Sequence, residues 1–411
     1  MKKMKKMKKL SSFLTISINN MYLCGTNIVE YNKTKDTMRF TLSSTVLNSR
    51  LQTLAKVINS KNSLAILESF LFQVHDGNME VTASDSENLM RTIIPLDECD
   101  AEGEFAIPNR TVLDAVKELP EQPLTFEVNP ETYEVAIEYQ NGRYNFTAQN
   151  AEEYPQKAPI GDDAKTLTLS AKVLCENINR TLFATDNNDI RPVMNGIYFD
   201  LLPDCLAFVA SDGHKLVRCR YTGIQSENHD SFILPKKPAV LLRAVLDKSD
   251  DEVVVKFNSN CAEFHFQGGM LSCTLIEGNF PNYNAAIPTD NTNELVIDRK
   301  ALLGAIRRVL PFASMSSQLI RFHIDNGCLE LSSEDLDFAT SAKEKIVCEY
   351  NGMPLQIGFR GDFFSEILNS ITTDEIRMLL GDPSRAGVIY PTEQPQNQDV
   401  LMLIMPLLLA D

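Results

Sequence analysis

One stretch recurs three times in this chain, at a spacing that a set of similar domains explains. The copies are Phe40–Leu47, Leu167–Leu174 and Leu295–Leu302, and corresponding positions lie 127 and 128 residues apart. Each copy shows the alternation of a strand, then Ser or Asp, then apolar residues at helical spacing. Ser or Asp before such a stripe is a helix N-cap signal. A period of this length is that of a domain rather than of a solenoid repeat, so the sequence predicts three similar domains.

A second helix start recurs in each repeat, at Ile107–Arg110, Leu234–Lys237 and Phe359–Asp362. Short alternating runs, separated by turn signals such as Asp76-Gly77 and Asn141-Gly142, predict antiparallel hairpins. The predicted fold class is therefore α+β, with two helices packed on antiparallel sheets in each of three repeated domains. The predicted boundaries are 1–37 for an N-terminal extension, then 38–157, 166–288 and 293–411 for the domains, with polar linkers between them.

The first residues need separate treatment, because they resemble the start of a signal peptide. Met1–Leu10 is a basic run, and a mildly apolar stretch follows it. Polar residues interrupt that stretch, and Leu23–Gly25 lacks the small residue expected before a cleavage point. The sequence therefore favours a disordered tail or an upstream start codon, with Met38 beginning the folded protein.

Composition and motifs argue against several classes of protein. The nine cysteines are scattered, and none forms a Cys-x-x-Cys pair, which fits the reduced thiols of a cytoplasmic protein. No run reaches the ~18–20 apolar residues of a membrane span. Phosphate-binding, zinc-binding and hydrolase motifs do not occur in the sequence. Ser211–Lys215 contains Ser, Asp and His, but neighbours in a tight turn point apart, so a turn or binding loop is favoured over catalysis. The sequence thus predicts no enzyme, no cofactor and no metal.

Three of the predicted helical segments are basic although the chain as a whole is acidic. Thr45–Lys61, Lys236–Asp247 and Asp298–Phe312 carry formal charges of +3, +2 and +3, a sum of +8 within a chain of −16. A single such segment is usually an ordinary solvated helix face. Three of them in similar domains favour one shared surface, whose Lys and Arg would neutralise phosphates without reading bases.

Several motifs together resemble the bacterial sliding clamp family, the DNA polymerase III beta subunits. They are the three α+β repeats, Ser211–Leu216, Phe280–Tyr283 and Ile404–Leu407, and the resemblance covers about Met38 to Leu409. It implies a non-catalytic processivity factor that forms a head-to-tail homodimeric ring around duplex DNA, with helices lining the hole. It also implies a clamp loader as a partner, and a replicative polymerase and repair proteins that dock short linear motifs.

The same resemblance implies three sets of functional residues and no catalytic or metal-binding residue. The partner-peptide pocket comprises Met194, Ser211, Gly213, His214, Lys215, Leu216, Pro281, Ala286, Phe363, Ser384, Leu403, Met405, Pro406 and Leu407. The DNA-binding residues are Lys61, Arg110, Lys236 and Lys237. The dimer interface comprises Tyr144, Phe146 and Phe312.

Two departures from the family pattern affect the predicted pocket. Asn284–Ala286 stands where relatives often have basic residues, and Leu408–Asp411 replaces a shorter, partly basic end. A pocket without those charges depends more on apolar contact and less on acidic motif residues. Two other interpretations stay open at this point: a multidomain α+β enzyme whose site assembles between repeats, and a monomeric peptide-binding scaffold. A native mass near twice that of the chain, with retention on closed circular DNA, distinguishes the clamp from both.

Overall fold

A computed structural model describes residues 37–59, 62, 64–156, 158–161, 164–188, 190–247, 249–325 and 327–409. The chain from Met38 onward forms one compact unit. The predicted N-terminal extension therefore lies, apart from Thr37, outside the described residues.

The described part of the chain repeats one order of elements three times, with one additional short strand in each of the first and third domains. The first domain contains β1 (Met38–Ser43), α1 (Ser44–Leu54), β2 (Ser69–His75), β3 (Asn78–Ser84), β4 (Asn88–Pro95), β5 (Glu98–Cys99), β6 (Gly103–Pro108), α2 (Asn109–Val116), β7 (Pro123–Val128), β8 (Glu134–Tyr139) and β9 (Gly142–Thr147). The second contains β10 (Lys165–Ser170), α3 (Ala171–Thr181), β11 (Gly196–Leu201), β12 (Leu206–Ser211), β13 (Lys215–Tyr221), β14 (Asp230–Pro235), α4 (Lys236–Leu246), β15 (Glu252–Phe257), β16 (Cys261–Phe266) and β17 (Gly269–Thr274). The third contains β18 (Asn293–Asp298), α5 (Arg299–Val309), β19 (Leu319–Asp325), β20 (Cys328–Asp335), β21 (Thr340–Val347), β22 (Glu349–Asn351), β23 (Leu355–Arg360), α6 (Gly361–Ser370), β24 (Glu375–Leu380), β25 (Gly387–Pro391) and β26 (Gln398–Ile404).

The first helix of each domain starts where the sequence predicts it. The side chains of Ser43, Ser170 and Asp298 each accept a hydrogen bond from the backbone amide three residues later, as an N-cap does. The two helices of each domain contact each other, α1 with α2, α3 with α4 and α5 with α6. Their apolar faces enter the core at matching positions, where Leu47, Leu174 and Leu302 are all fully buried. The predicted α+β repeat is confirmed.

Two of the sheets run across the boundaries between domains. An eight-stranded sheet joins the first two domains through the antiparallel pair β4–β17, and a nine-stranded sheet joins the last two through β13–β26. A five-stranded sheet in the first domain ends at β9, and a four-stranded sheet in the third ends at β21. Within the described residues, β9 and β21 therefore each have one edge that no other strand of this chain covers.

Candidate functional site

The boundary between the second and third domains carries an apolar cluster outside the main core. Leu216 on β13 lies opposite Leu403 on β26, and both side chains are buried. Strands, a loop and the segment after β17 contribute the other buried members, which are Ala207, Val209, Tyr283, Ala386, Val388 and Leu401. We call this group the junction cluster. Residues far apart in the sequence therefore pack together at this boundary.

A tight turn between β12 and β13 borders the junction cluster. The Ser211 hydroxyl donates to the Lys215 carbonyl oxygen at 2.9 Å and accepts from the Gly213 amide at 3.1 Å. The Asp212 carboxylate accepts from the amides of His214 and Lys215 at 2.8 and 2.9 Å. Gly213 has a φ of +86°, and a Cβ there would lie 2.8 Å from a guanidinium nitrogen of Arg191. These polar groups satisfy the turn itself, in agreement with the prediction that the segment is not catalytic.

Lys215 is a buried cation that connects the two domains. Its ammonium nitrogen lies 2.6 Å from an Asp212 carboxylate oxygen and 3.1 Å from one of Glu366. The same nitrogen stands 3.9 Å from the ring centroid of Phe363, which places the cation on the aromatic face. The His214 ring lies 5.9 Å from the Phe363 ring, centroid to centroid. Lys215 therefore holds Phe363 in place, and its charge is already engaged within the protein.

The C-terminal segment crosses from one domain to the other beside this turn. The Met405 amide donates to the His214 carbonyl oxygen at 2.8 Å, and the Leu407 amide donates to that of Gly358 at 2.8 Å. Leu403 is buried, whereas the Met405 side chain is 41% exposed. Pro406 and Leu407 are half-buried. The segment thus places an apolar side chain at the surface next to the junction cluster.

The remaining predicted pocket residues surround the cluster at different depths. Pro281 and Ala286 are exposed on either side of buried Tyr283, whose hydroxyl donates to an Asp200 carboxylate oxygen at 2.8 Å. Ser384 is exposed in the turn that precedes Ala386, a member of the cluster.

Met194 reaches the region by a different route. It is buried at the end of the short turn Pro192–Met194, and the neighbouring Arg191 guanidinium donates to the Asp212 carbonyl oxygen at 2.8 Å. The loop that carries Met194 is thereby fixed to the turn beside the junction cluster.

The predicted DNA-binding residues occupy different environments. Lys61 lies outside the described residues. Arg110 is exposed in the first turn of α2. Lys236 is half-buried, donates to the Asn187 side chain, and has its pKa lowered by burial. Lys237 donates to the Val57 carbonyl oxygen and to the Asp85 carboxylate, both in the first domain.

Other helix cations are exposed, and all but Lys172 belong to the three basic segments of the sequence. They are Arg50 on α1, Lys172 on α3, Arg243 on α4 and Arg307 on α5. Each domain therefore presents basic side chains on its helical surface.

The predicted interface residues lie on β9 and beside β21, each of which has an uncovered edge. Tyr144 and Phe146 are on β9, half-buried against the core, with Tyr144 stacked on Tyr139 at 4.9 Å. Phe312 ends the short turn Leu310–Phe312, which contacts β21, and it is 41% exposed. One set of predicted residues therefore marks each free edge.

Comparison with known proteins assigns the family. Profiles of the N-terminal, central and C-terminal domains of the DNA polymerase III beta subunit match residues 38–158, 168–282 and 284–408. This chain belongs to the bacterial beta sliding clamps. The beta sliding clamp of Pseudomonas aeruginosa is 26% identical over 376 residues, which is 90% of this chain and 100% of that protein. That of Escherichia coli K12 is 25% identical over 370 residues, again 90% and 100%.

Solved structures show the same architecture. The crystal structure of the DNA polymerase III subunit beta from Pseudomonas aeruginosa matches this clamp with a TM-score of 0.84 at 25% identity, covering 90% of this chain and 100% of that one. A Pseudomonas aeruginosa sliding clamp bound to griselimycin has a TM-score of 0.86 at 24% identity, with coverage of 90% and 100%, and shows the fold alone.

Family membership decides between the interpretations left open above. As a beta sliding clamp the protein is a DNA polymerase processivity factor and a non-catalytic subunit of polymerase III, which removes the multidomain enzyme. DNA and a polymerase are its partners in this role. None of the helices in the described part of the chain is long and apolar enough to cross a membrane.

Two structural residues of the site are absent from the predicted pocket set. Asp212 holds the turn, and Glu366 pairs with Lys215 from the third domain. A signal for Asp212 is present, because Ala-Ser-Asp precedes the same turn in the first domain, where Asp85 accepts from the Asn88 amide at 2.7 Å. No comparable local signal marks Glu366, whose partner lies far away in the sequence.

Proposed function

We propose that two copies of this clamp close head to tail into a ring around duplex DNA, and that the junction cluster receives the linear motifs of its partners. The observation that carries the ring is the equivalence of strand edges. Each domain has one run of three hairpin-connected strands after its first helix and another after its second helix. The first run ends at β4, β13 and β21 in the three domains, and the second run ends at β9, β17 and β26. If the last strand of each first run pairs with the last strand of the second run in the next domain, three pairs are possible around a ring. Two of them, β4–β17 and β13–β26, are formed within the chain.

The third combination, β21 with β9, requires a second copy. Such a contact is heterologous, because different surfaces of the two subunits meet, and a closed ring then uses both free edges. Closure also removes the exposed strand edges, which are otherwise a liability for aggregation. The family expectation of two subunits and six domains fits this pattern.

Phe312 supports the same conclusion through burial. Its counterparts in the first and second repeats are Val57, whose carbonyl oxygen accepts from Lys237 of the second domain, and Ala184, in the short turn Leu182–Ala184 that contacts β13. Both are fully buried, whereas Phe312 is 41% exposed. Pairing of β21 with the partner's β9 would cover this apolar surface as the internal junctions cover theirs.

The ring would hold DNA loosely, through phosphates rather than bases. We retain Lys61, Arg110, Lys236 and Lys237 as proposed contacts, and we add the exposed helix cations Arg50, Lys172, Arg243 and Arg307. Because Lys237 is paired with the Asp85 carboxylate and Lys236 is half-buried, the exposed cations carry more of the proposed contact. The chain has a net charge of −16, so the surfaces away from these helix cations disfavour contact with DNA.

The junction cluster would bind a short segment with Leu or Phe anchors. Met405 offers an exposed apolar surface beside buried Leu216 and Leu403, and Phe363 forms the wall on the third domain. Since Lys215 is paired with Asp212 and Glu366, apolar contact dominates the proposed recognition. A small apolar footprint that orders a flexible segment gives micromolar affinity. The proposed users of this pocket are the clamp loader, the replicative polymerase and repair proteins.

Disulfide cross-linking tests the ring together with its strand register. At the internal junctions Leu89 lies opposite Ser272 and Leu216 opposite Leu403. The equivalent pair between subunits is Thr340 with Asn145, because Thr340 closes its hairpin as Leu89 and Leu216 do.

A chain with both Thr340→Cys and Asn145→Cys should therefore form a covalent dimer on oxidation, whereas each single variant should not. A wild-type native mass equal to that of one chain would contradict the ring. A dimer without the cross-link would contradict the register.

A further inference from the structure

We infer that the hairpin tip between β20 and β21 packs on the partner subunit's first domain, with the Phe338 ring against the guanidinium of Arg110 of the partner subunit. The inference rests on the proposed head-to-tail dimer and adds a specific contact to it. Its starting point is an unusual surface: Leu336 is 85% exposed and Phe338 is 77% exposed at this tip. Side chains of this size are costly to leave in water together, so a contact that covers them is favoured.

The three corresponding hairpin tips have the same length and share one hydrogen bond, although the residue with a positive φ is the third of the tip in two of them, Ser86 and Gly213, and the fifth in the other, Ala339. Their last strand pairs are Ser84–Leu89, Ser211–Leu216 and Asp335–Thr340. In each tip the side chain of the first residue accepts from the amide two residues later, at 3.2, 3.1 and 3.0 Å respectively. The tips can therefore be compared residue by residue, and Phe338 is the counterpart of Glu87 and His214.

Both of these counterparts lie in a junction between domains. The Glu87 carbonyl oxygen accepts from the amide of Thr274 at 3.0 Å, and that of His214 accepts from the amide of Met405 at 2.8 Å. In each case the donor lies at the end of the last strand of the next domain or directly after it. Since β9 ends at Thr147, the same correspondence places Phe338 near that strand end in the partner.

The tips also meet the first turn of the second helix of the next domain. Asp85 in the first tip pairs with Lys237, the second residue of α4. The His214 ring in the second tip lies 5.9 Å from that of Phe363, the third residue of α6. The second residue of α2 is Arg110, and its side chain is exposed. The third tip therefore meets the turn that carries Arg110.

An aromatic ring facing a guanidinium is a favourable combination at such a contact. The chain already uses it where the Arg360 guanidinium lies 4.6 Å from the Phe363 ring centroid, and where that of Arg377 lies 5.0 Å from the Tyr390 ring centroid. At the subunit boundary the cation would come from the helix and the ring from the tip. Arg110 would then contribute to dimer closure rather than to phosphate binding, and the two roles predict different measurements.

The test is a double-mutant cycle on the dimer dissociation constant of the full chain, measured by sedimentation velocity over a dilution series. Phe338→Leu removes the aromatic face but keeps an apolar side chain, and Arg110→Ala removes the cation. Each should raise the dissociation constant about 5- to 30-fold, and the double variant should be no worse than either single one. Ile190→Ala and Lys256→Ala, which change an exposed apolar and an exposed basic residue of the second domain, should leave it unchanged.

Several results would overturn the inference without touching the ring. They are a wild-type dissociation constant in both single variants, or effects that add in the double variant. A raised dimer dissociation constant in Asp337→Asn, with the wild-type value in Phe338→Leu, would show that an ion pair rather than a ring contact joins the two subunits at this tip. A weaker salt dependence of DNA retention in Arg110→Ala, with an unchanged dimer, would return Arg110 to the DNA surface. Failure of the dimer itself would appear differently, as a monomeric wild-type protein.

Discussion

The ammonium group of Lys237 in the second domain hydrogen-bonds the carboxylate of Asp85 in the first. The Asp85 side chain is only 3% exposed, so this is a link between domains rather than a surface ion pair. Burial alone would raise the pKa of Asp85, but hydrogen bonds from Lys237 and Asn88 outweigh it, and the pKa is lowered. The ionised pair therefore stabilises the boundary between the two domains.

Removal of the cation should destabilise the folded clamp. Lys237→Met leaves the buried Asp85 carboxylate without its charged donor, and we expect a loss of about 1–3 kcal/mol in the free energy of unfolding. Urea unfolding measures it, with Lys56→Met, an exposed lysine of the first domain, as the control. Combining Asp85→Asn with Lys237→Met should restore part of the lost free energy of unfolding, because the buried charge is then removed as well. A Lys237→Met variant as stable as Lys56→Met would show that the link contributes nothing.

The same pair predicts how stability depends on pH. Because the folded pKa of Asp85 is lowered, its contribution is fully present above the unfolded value of about 3.9 and is lost as the pH falls through the folded pKa. Asp85→Asn should therefore be less stable than the wild type at pH 7, and the difference should shrink below about pH 4. Urea titrations across this range measure it, and a difference that is independent of pH would exclude the ionised carboxylate as its source.

Phe312→Asp should convert the dimer to monomers. The substitution places a carboxylate where pairing of β21 with the partner's β9 would bury it without a partner. Size-exclusion chromatography with light scattering at micromolar concentration gives the mass. The exposed Met315, three residues further on, supplies a matched control as Met315→Asp. A dimeric Phe312→Asp variant would remove Phe312 from the interface.

Deletion of Met405–Asp411 should abolish peptide binding yet leave the dimer intact. The deletion removes the Met405 surface and the backbone bond from Met405 to His214, whereas the free edges β9 and β21 lie elsewhere. Fluorescence anisotropy with a polymerase-derived peptide measures binding, and Leu408→Ala, at an 82% exposed position, serves as the control. Wild-type affinity in the truncated protein would place the pocket elsewhere.

Local signals made much of the fold predictable. Ser43, Ser170 and Asp298 act as N-caps on their own following turn, so the sequence reveals them without knowledge of the fold. Because the same sequence pattern occurs three times, the signals that predict one domain predict all three.

The contacts that close the domain boundaries could not be predicted in this way. The family resemblance implied Lys237 as a DNA contact, but the acceptor it meets, Asp85, lies 152 residues away. Glu366 reaches Lys215 across a strand pairing that only the assembled sheet defines. Partners at such separations depend on which sheets merge, and alternation within one strand does not encode that choice.

Retention on DNA of different topology tests the central claim most directly. After loading by a clamp loader, the labelled clamp should stay on nicked circular DNA and leave within a short time once the circle is cut, because an enclosing ring slides off a free end. Cutting a separate circle that carries no clamp controls for effects of the nuclease itself. We predict that the clamp is lost only when the circle that carries it is cut. Equal lifetimes of the clamp on circular and on linear DNA would contradict the ring.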